Sequence, residues 1–281
     1  MKNYLIIANR QKDKGLKIAE RIRKLLMERG AVCNIFDQYF DVKHHRLEIP
    51  EGTECILVIG GDGTLLGVAD QLFGKHIPIL GVNLGTLGFL TEVTVPMLED
   101  TINHLIRDEF EIEKRFMLRA DVIKNGEVTT SFKCLNDFVI SRGLLPKLLT
   151  LEVRINGTII DAYRADGLIL CTPTGSTGYN LSAGGPIINP TCKNFVMTPI
   201  CPHSLMTRSV VLSEFDNVTI ELKGDQKDKP NIAILSYDVA EGETLVPGDR
   251  IRVTKADDYT PFIKMGEKSF VQILKDKLLK P

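Results

Sequence analysis

Two apolar rhythms alternate along the first hundred residues. Tyr4–Ala8 is an apolar run, Val32–Phe36 is a short strand candidate, and the apolar runs Cys55–Ile59 and Ile77–Val82 predict buried strands of the kind a parallel sheet covers on both faces. Between them, Lys14–Arg29 sets Ile18, Ala19, Ile22, Leu25 and Leu26 on one face at helical spacing, and Gly30 supplies a stop. Leu65–Phe73 reads as a second helix. Met97–Phe110 repeats the helical pattern with Leu98, Ile102, Leu105 and Ile106. This βαβ order predicts an α/β N-terminal domain with an open, mostly parallel sheet and right-handed crossovers.

After about residue 110 the period shortens to two. Arg115–Ile123 and Val128–Cys134 flank Asn125-Gly126, and Leu149–Ile155 and Thr158–Arg164 flank Asn156-Gly157. Asn-Gly between strand-like runs predicts a type I′ hairpin, because both central residues need positive φ. Further strands are expected at Asn217–Leu222, Ile232–Tyr237 and Arg250–Val253. The second half therefore reads as a mainly β C-terminal domain. The tail, Phe270–Leu279, has helical spacing and is expected to return to the first domain. The division that results is residues 1–100 plus about 265–281 for the α/β domain, and 101–264 for the β-rich domain.

Composition narrows the classes without choosing among them. The chain has 281 residues, 43% hydrophobic and 25% charged, with a net charge of −1. That is the make-up of a globular protein, with no field of one sign to attract nucleic acid or an anionic membrane. Any anionic ligand must then be held by local groups. No apolar run approaches the ~20 residues of a membrane helix, and MKNYLIIANR reads as a first strand, not a signal peptide. The six cysteines (33, 55, 134, 171, 192, 201) contain no CxxC pair, several lie in apolar runs, and they predict reduced core thiols in a cytoplasmic protein. No ligand set of histidines is expected, and His44-His45 sits in a polar connector.

Four stretches carry candidate chemistry. The first is GGDGT, 60–64, where three glycines surround Asp62 directly after a buried run. Ligands of open α/β sheets collect at the carboxyl ends of strands. Glycines there bring backbone N–H groups close to phosphate oxygens, and a helix starting near Thr64 adds its positive end. A carboxylate opposes an anion in such a place. Its reason to be there is either to accept a proton from an attacking hydroxyl or to hold Mg²⁺; the alternative is a plain strand-to-helix turn with Asp62 as a cap. GxxxxGK[ST] is absent, and no lysine stands nearby in the sequence.

The second stretch, GVNLGTLGFL (81–90), offers Asn83 and three glycines in another ligand-facing loop, or else a tight packing loop. In the third, RADGLILCTPTGSTGYNLSAGGPIINP (164–190), seven hydroxyl or amide side chains lie between Thr172 and Ser182, a supply of neutral donors and acceptors suited to ribose hydroxyls and phosphates. The fourth is CLNDFVI (134–140), where Asn136-Asp137 interrupts an apolar pattern. An amide beside a carboxylate can read a base edge and sugar hydroxyls together; a strand-end turn is the alternative.

Taken together, GGDG (60–63), Asn136-Asp137, DGLILCTPTGSTGYNLSAGGP (166–186) and PICPHSL (199–205) resemble the NAD kinase family. The threonine-rich motif is specific to it, whereas GGDG alone is shared with diacylglycerol and sphingosine kinases and phosphofructokinases. The resemblance implies phosphorylation of the 2′-hydroxyl of the adenosine ribose of NAD, with ATP and Mg²⁺. It makes Asp62 the proton acceptor, with Gly61, Gly63 and Asn83 in the ligand loops and Asn136 and Asp137 on the pair that holds NAD. Arg164, Asp166, Thr177, Gly178, Tyr179, Asn180, Leu181 and Ser182 fall on further NAD contacts, and Lys147 lies where the family often has a basic residue. It also implies a homodimer or homotetramer, small-molecule nucleotides as the only partners, and no resident metal ligands.

The chain departs from the family at four places. Asp137 stands where Glu is frequent, Gly178-Tyr179-Asn180 replaces Ala-Tyr-Ser, Asp238-Val239-Ala240 replaces Asp-Gly-Gln, and Ser209 replaces proline. None removes a proposed catalytic group. Two rivals carry different predictions: a lipid kinase of the diacylglycerol or sphingosine type needs an apolar substrate cleft, and a non-catalytic NAD(H) sensor binds NAD without releasing ADP.

Overall fold

The computed structural model describes residues 1–36, 47–85, 88–143, 147–204, 207–224, 232–266 and 268–278; His44-His45, Leu205 and Leu279 lie outside them. By internal contacts the chain divides into Met1–Arg115 with Tyr259–Pro281, and Phe116–Asp258.

The first unit begins with β1 (Asn3–Ala8), α1 (Lys17–Met27), β2 (Val32–Phe36), β3 (Cys55–Ile59), α2 (Asp62–Gln71), β4 (Ile79–Asn83), β5 (Val93–Thr94) and α3 (Leu98–Ile106). Its strands pair in parallel in the order β2-β1-β3-β4-β5, with Ile6 opposite Leu57 and Leu57 opposite Leu80. β1, β3 and β4 are buried on both faces, which is why each reads as an unbroken apolar run. The amphipathic faces of α1 and α3 close one side: Ile22, Leu26, Leu98, Ile102 and Leu105 pack with Tyr4, Ile6, Leu57 and Val82. Each fully buried Leu or Ile contributes roughly 1.5–3 kcal/mol of transfer free energy.

The helices differ from their expected bounds for local reasons. α1 starts at Lys17, not Lys14, because Gly15 and Leu16 take positive φ of 71° and 55°. The Asp13 carboxylate then accepts the Ile18 and Ala19 N–H groups at 3.0 and 2.9 Å, satisfying orphan donors of the first turn. α2 starts three residues early, with Gly61 as its N-cap, so Asp62 lies inside the first turn and not ahead of it. α3 ends where Asp108 turns to φ 56°.

The chain enters the second unit within β6 (Glu111–Lys124). There follow β7 (Glu127–Cys134), β8 (Asp137–Arg142), β9 (Leu149–Ile155), β10 (Thr158–Ala165), β11 (Gly167–Cys171), α4 (Tyr179–Ser182), β12 (Asn194–Ile200), β13 (Val210–Ser213), β14 (Val218–Leu222), β15 (Ala233–Tyr237), β16 (Ala240–Leu245) and β17 (Arg250–Lys264). Both predicted hairpins turn at Asn-Gly with positive φ: 52° and 86° at Asn125-Gly126, 51° and 84° at Asn156-Gly157. One antiparallel sheet runs β13-β12-β11-β8-β15-β16; β10-β9-β14-β17 and the β6-β7 hairpin form the other layer. Side chains at i, i+2 spacing from both layers meet in one core, among them Leu118, Ala120, Phe138, Ile140, Leu151, Val153, Leu168, Leu170, Phe195 and Ile251.

The opposite face of β8, β11 and β12 is also covered. Val139, Ile169, Cys171 and Val196 pack under Ile188, so β11 is buried on both sides. The end of β17 belongs to the first unit, where Phe262 pairs with Ile79, and α5 (Phe270–Leu278) completes that unit.

Candidate active site

In the first unit the chain leaves β1 for β2 on one side and β3 for β4 on the other. The carboxyl ends of the adjacent strands β1 and β3 are therefore a topological switch point, where ligands of open α/β sheets bind. Three loops gather there. Asn9 follows β1: its N–H donates to the Ile59 carbonyl at 2.9 Å, and its Nδ2 donates to Thr64 Oγ1 at 3.2 Å. Gly60 and Gly61 follow β3. Asn83 closes β4, where its Oδ1 accepts the Gly85 N–H at 2.8 Å and its Nδ2 donates to Thr91 Oγ1 at 3.2 Å. Asn83 is buried and organises its own loop.

Asp62 is held by that neighbouring loop. Its Oδ2 accepts the Phe89 N–H at 2.8 Å and its Oδ1 accepts the Leu90 N–H at 3.2 Å, while Gly61 stands at the N-cap of its helix. A carboxylate in a first turn also gains from the helix dipole. The placement that looked unfavourable in the sequence is thus stabilised by two amides and a helix end. Asp62 lines a cleft of about 530 Å³ with Lys12, Gly61, Asn83, Leu84, Gly85, Gly88 and Lys277. Gly63 stands beside it with open space where a Cβ would point.

Gly88 keeps the aspartate in place by lacking a side chain. A Cβ there would lie 1.8 Å from Asp62 Oδ1 and 2.7 Å from Thr91 Oγ1. Gly88→Ala is expected to leave the sheet intact and cut turnover by ~10²-fold, because the carboxylate must swing off the two amides and a misplacement near 1 Å costs about that much. Steady-state rates on a folded variant check this.

The second unit gathers another group. Asn136 and Asp137 open β8, and Asp137 lies opposite Cys171 at the end of β11. The Asp238 carboxylate fixes the turn by accepting the N–H groups of Leu135, Asn136 and Asp137 at 2.9, 2.7 and 3.3 Å. Gly175 and Gly178 let the threonine-rich loop close on this turn. A Cβ on Gly175 would lie 2.3 Å from the Asn136 carbonyl oxygen, and one on Gly178 would lie 3.6 Å from Asn136 Nδ2 and 4.0 Å from Asp137 Oδ2. Asn136 Oδ1 is buried without a hydrogen-bond partner among the described residues.

The loop's polar side chains divide into two sets. Thr172 Oγ1 donates to the Leu135 carbonyl at 2.5 Å and accepts the Gly175 N–H at 3.1 Å; Ser176 Oγ bonds the Pro173 and Ile188 main chain. Asn180 is fully buried: its Nδ2 donates to the carbonyls of Ser176 and Pro186, and its Oδ1 accepts from Thr198 Oγ1 at 2.7 Å. These three work on the loop itself, which narrows the supply of neutral donors and acceptors that the sequence offers. Thr177 and Leu181 are half-buried, and Tyr179 and Ser182 are exposed.

Arg164 and Asp166 stand apart. Asp166 pairs with Arg142 at 2.8 Å at the other end of β11, about 17 Å of strand from Cys171 at ~3.3 Å per residue. Arg164 is exposed on β10, where its carbonyl accepts the His203 N–H at 2.8 Å. Lys147 is half-buried two residues ahead of β9.

Burial, and then the facing Asp238, push the Asp137 carboxyl up to about 7. Between the ordinary carboxylate range and pH ~7 the folded chain therefore holds a proton that the unfolded chain releases, so this group's contribution to stability falls as pH rises through that window. Asp137→Asn removes the dependence. Its thermal midpoint relative to the parent is expected to rise from about pH 5 to pH 7 and then level off; a constant difference across that range counts against a raised carboxyl.

Sequence reasoning missed Lys12 and Lys277, which enter the cleft from opposite ends of the chain, and the anchoring role of Asp238.

Comparison with known proteins bears on both units. Residues 4–110 match the ATP-NAD kinase N-terminal domain, and residues 135–265 match the ATP-NAD kinase C-terminal domain. A protein named NAD kinase from Lachnoclostridium phytofermentans is 39% identical over 285 residues, covering 99% of each chain. One of the same name from Caldanaerobacter subterraneus subsp. tengcongensis is 37% identical with the same coverage. Among solved structures, yeast NADH kinase complexed with NADH aligns with a TM-score of 0.85 at 25% identity, over 99% of this chain and 87% of that one. An NAD kinase from Archaeoglobus fulgidus in complex with ATP shares the fold, with a TM-score of 0.74 at 24% identity over 94% of each chain.

Proposed function

Because the chain belongs to the ATP-NAD kinase family, we propose that it transfers the γ-phosphate of ATP to the 2′-hydroxyl of the adenosine ribose of NAD, giving NADP and ADP. The observation that carries the residue assignment is Asp62, held by two amides at the switch-point cleft. Its carboxylate takes the proton of the 2′-hydroxyl as that oxygen bonds to the γ-phosphorus. The bond to the bridging oxygen breaks, and ADP leaves with the electron pair. Phosphoryl transfer has a loose transition state, so orientation and charge neutralisation supply most of the rate. Gly61 and Gly63 would offer main-chain N–H groups to the phosphates, with open space where a Gly63 Cβ would point.

On the NAD side, Asn136 and Asp137 are the proposed recognition pair, supported by the unpartnered Asn136 Oδ1. Thr177, Gly178, Tyr179, Leu181 and Ser182 border it. Asn180 takes part by shaping the loop. Arg164, Asp166 and Lys147 are proposed contacts on the family likeness.

Among the described residues no cluster of three or more His, Cys, Asp or Glu side chains gathers. Mg²⁺ is proposed to enter chelated by the triphosphate, with Asp62 as the cleft's carboxylate; when bound, the ion would neutralise phosphate charge. We place the protein in the cytoplasm, which the free cysteines support. Among the described residues no helix is long and apolar enough to cross a membrane. We also propose a homodimer or homotetramer, which light scattering of the purified chain tests.

Purified protein with NAD, ATP and Mg²⁺, read by an NADP-specific dehydrogenase, tests the activity. NADP formed in step with ADP is the expected result. NAD binding without ADP release would overturn the kinase reading in favour of a sensor.

A further inference from the structure

The Asp62 cleft holds two cations that neither its glycine motif nor the family likeness assigns. Lys12 lies in the loop after β1, on one side of the switch point. That loop is built: Asn9 Oδ1 accepts the N–H groups of Gln11 and Lys12 at 3.0 and 3.3 Å, while its Nδ2 ties it to Thr64 of α2. Lys12 Nζ reaches over the glycine motif, 2.7 Å from where a Gly61 Cβ would be. Lys277 comes from α5. Ser269 and Gln272 cap that helix reciprocally, at 2.7 and 3.3 Å, and Ile273 anchors it. Lys277 Nζ sits 4.7 Å from the centroid of the Phe89 ring, the residue whose N–H holds Asp62.

With one carboxylate and two ammonium groups, the lining carries a net charge of +1. This answers the electrostatic objection to an aspartate in a phosphate site. The chain lacks the P-loop lysine, yet two others converge on the same space. We propose that Lys12 and Lys277 clamp the donor's β- and γ-phosphate oxygens, neutralising the charge that the bridging oxygen gains as its bond to the γ-phosphorus breaks. The inference rests on the kinase reading above and adds the residues that grip its phosphoryl donor.

The test is steady-state kinetics of Lys12→Met, Lys277→Met and the matching arginine variants, with ATP varied at saturating NAD and the reverse. Each methionine variant is expected to lose about tenfold or more in kcat/KM for ATP, as a charge-assisted hydrogen bond implies, with KM for NAD within about twofold. Arginine is expected to restore most of the loss, which a merely structural role would not predict. If the parent makes no NADP, the kinase reading fails. If the parent is active and the methionine variants stay within about twofold for ATP, the lysine assignment alone fails. It fails also if ATP and NAD terms fall together and arginine restores neither.

Discussion

Asp62→Asn is expected to lower turnover by roughly 10²–10⁴-fold, the range that a positioned proton acceptor supplies, with thermal stability close to that of the parent. The asparagine keeps the size of the side chain and one oxygen for the Phe89 or Leu90 amide, so the loop at 88–90 stays near its place. What it loses is the ability to take the ribose proton. KM for ATP is expected to change far less than kcat, since the phosphate-facing amides are main chain. A variant that turns over at near-normal rate would remove Asp62 from the mechanism while leaving the fold assignment untouched.

The second large effect is expected in the other unit. Gly175→Ala puts a methyl 2.3 Å from the Asn136 carbonyl oxygen, 2.6 Å from its carbon and 2.8 Å from its Cα. The obstacle is backbone, which cannot rotate aside as a long side chain would. Either the threonine-rich loop lifts or the start of β8 moves. Overpacking of this kind costs about 1–3 kcal/mol. Here it also separates Thr172 from the Asn136 carbonyl, which accepts the Thr172 N–H at 2.8 Å. Loss of NAD binding by calorimetry and a lower urea midpoint are the expected readouts. Gly63→Ala is the control: nothing lies within 4 Å of its Cβ and it stands inside α2, so its urea midpoint should equal or exceed the parent's. Equal stability of the two variants would mean that the loop does not seat on the Asn136 turn.

Elements with a single strong signal were legible in the sequence. β1, β3 and β4 are covered on both faces, so their apolar runs are continuous, and the two Asn-Gly hairpins require positive φ that few other pairs accept. Strands with mixed signals were not. β8 opens on Asp137 just after Asn136, β11 runs directly into the threonine-rich loop, β12 contains Pro199, and β16 reads AEGETL. Their pairing is decided by the sheet around them and not by their own pattern. Of the candidate site, the residue types could be read but not their direction: Thr172, Ser176 and Asn180 look identical in sequence to Thr177 and Ser182, yet turn inward. Lys12 and Lys277 had no local signal, because only the fold brings the two ends of the chain to one cleft.

The inward turn of Thr172, Ser176 and Asn180 splits the loop into scaffold and palette. Substitutions at the buried three would collapse the frame before they altered what is accepted. Tyr179 and Ser182, both exposed, can vary without that penalty. Change in this loop is therefore channelled to a handful of outward positions on an otherwise fixed support.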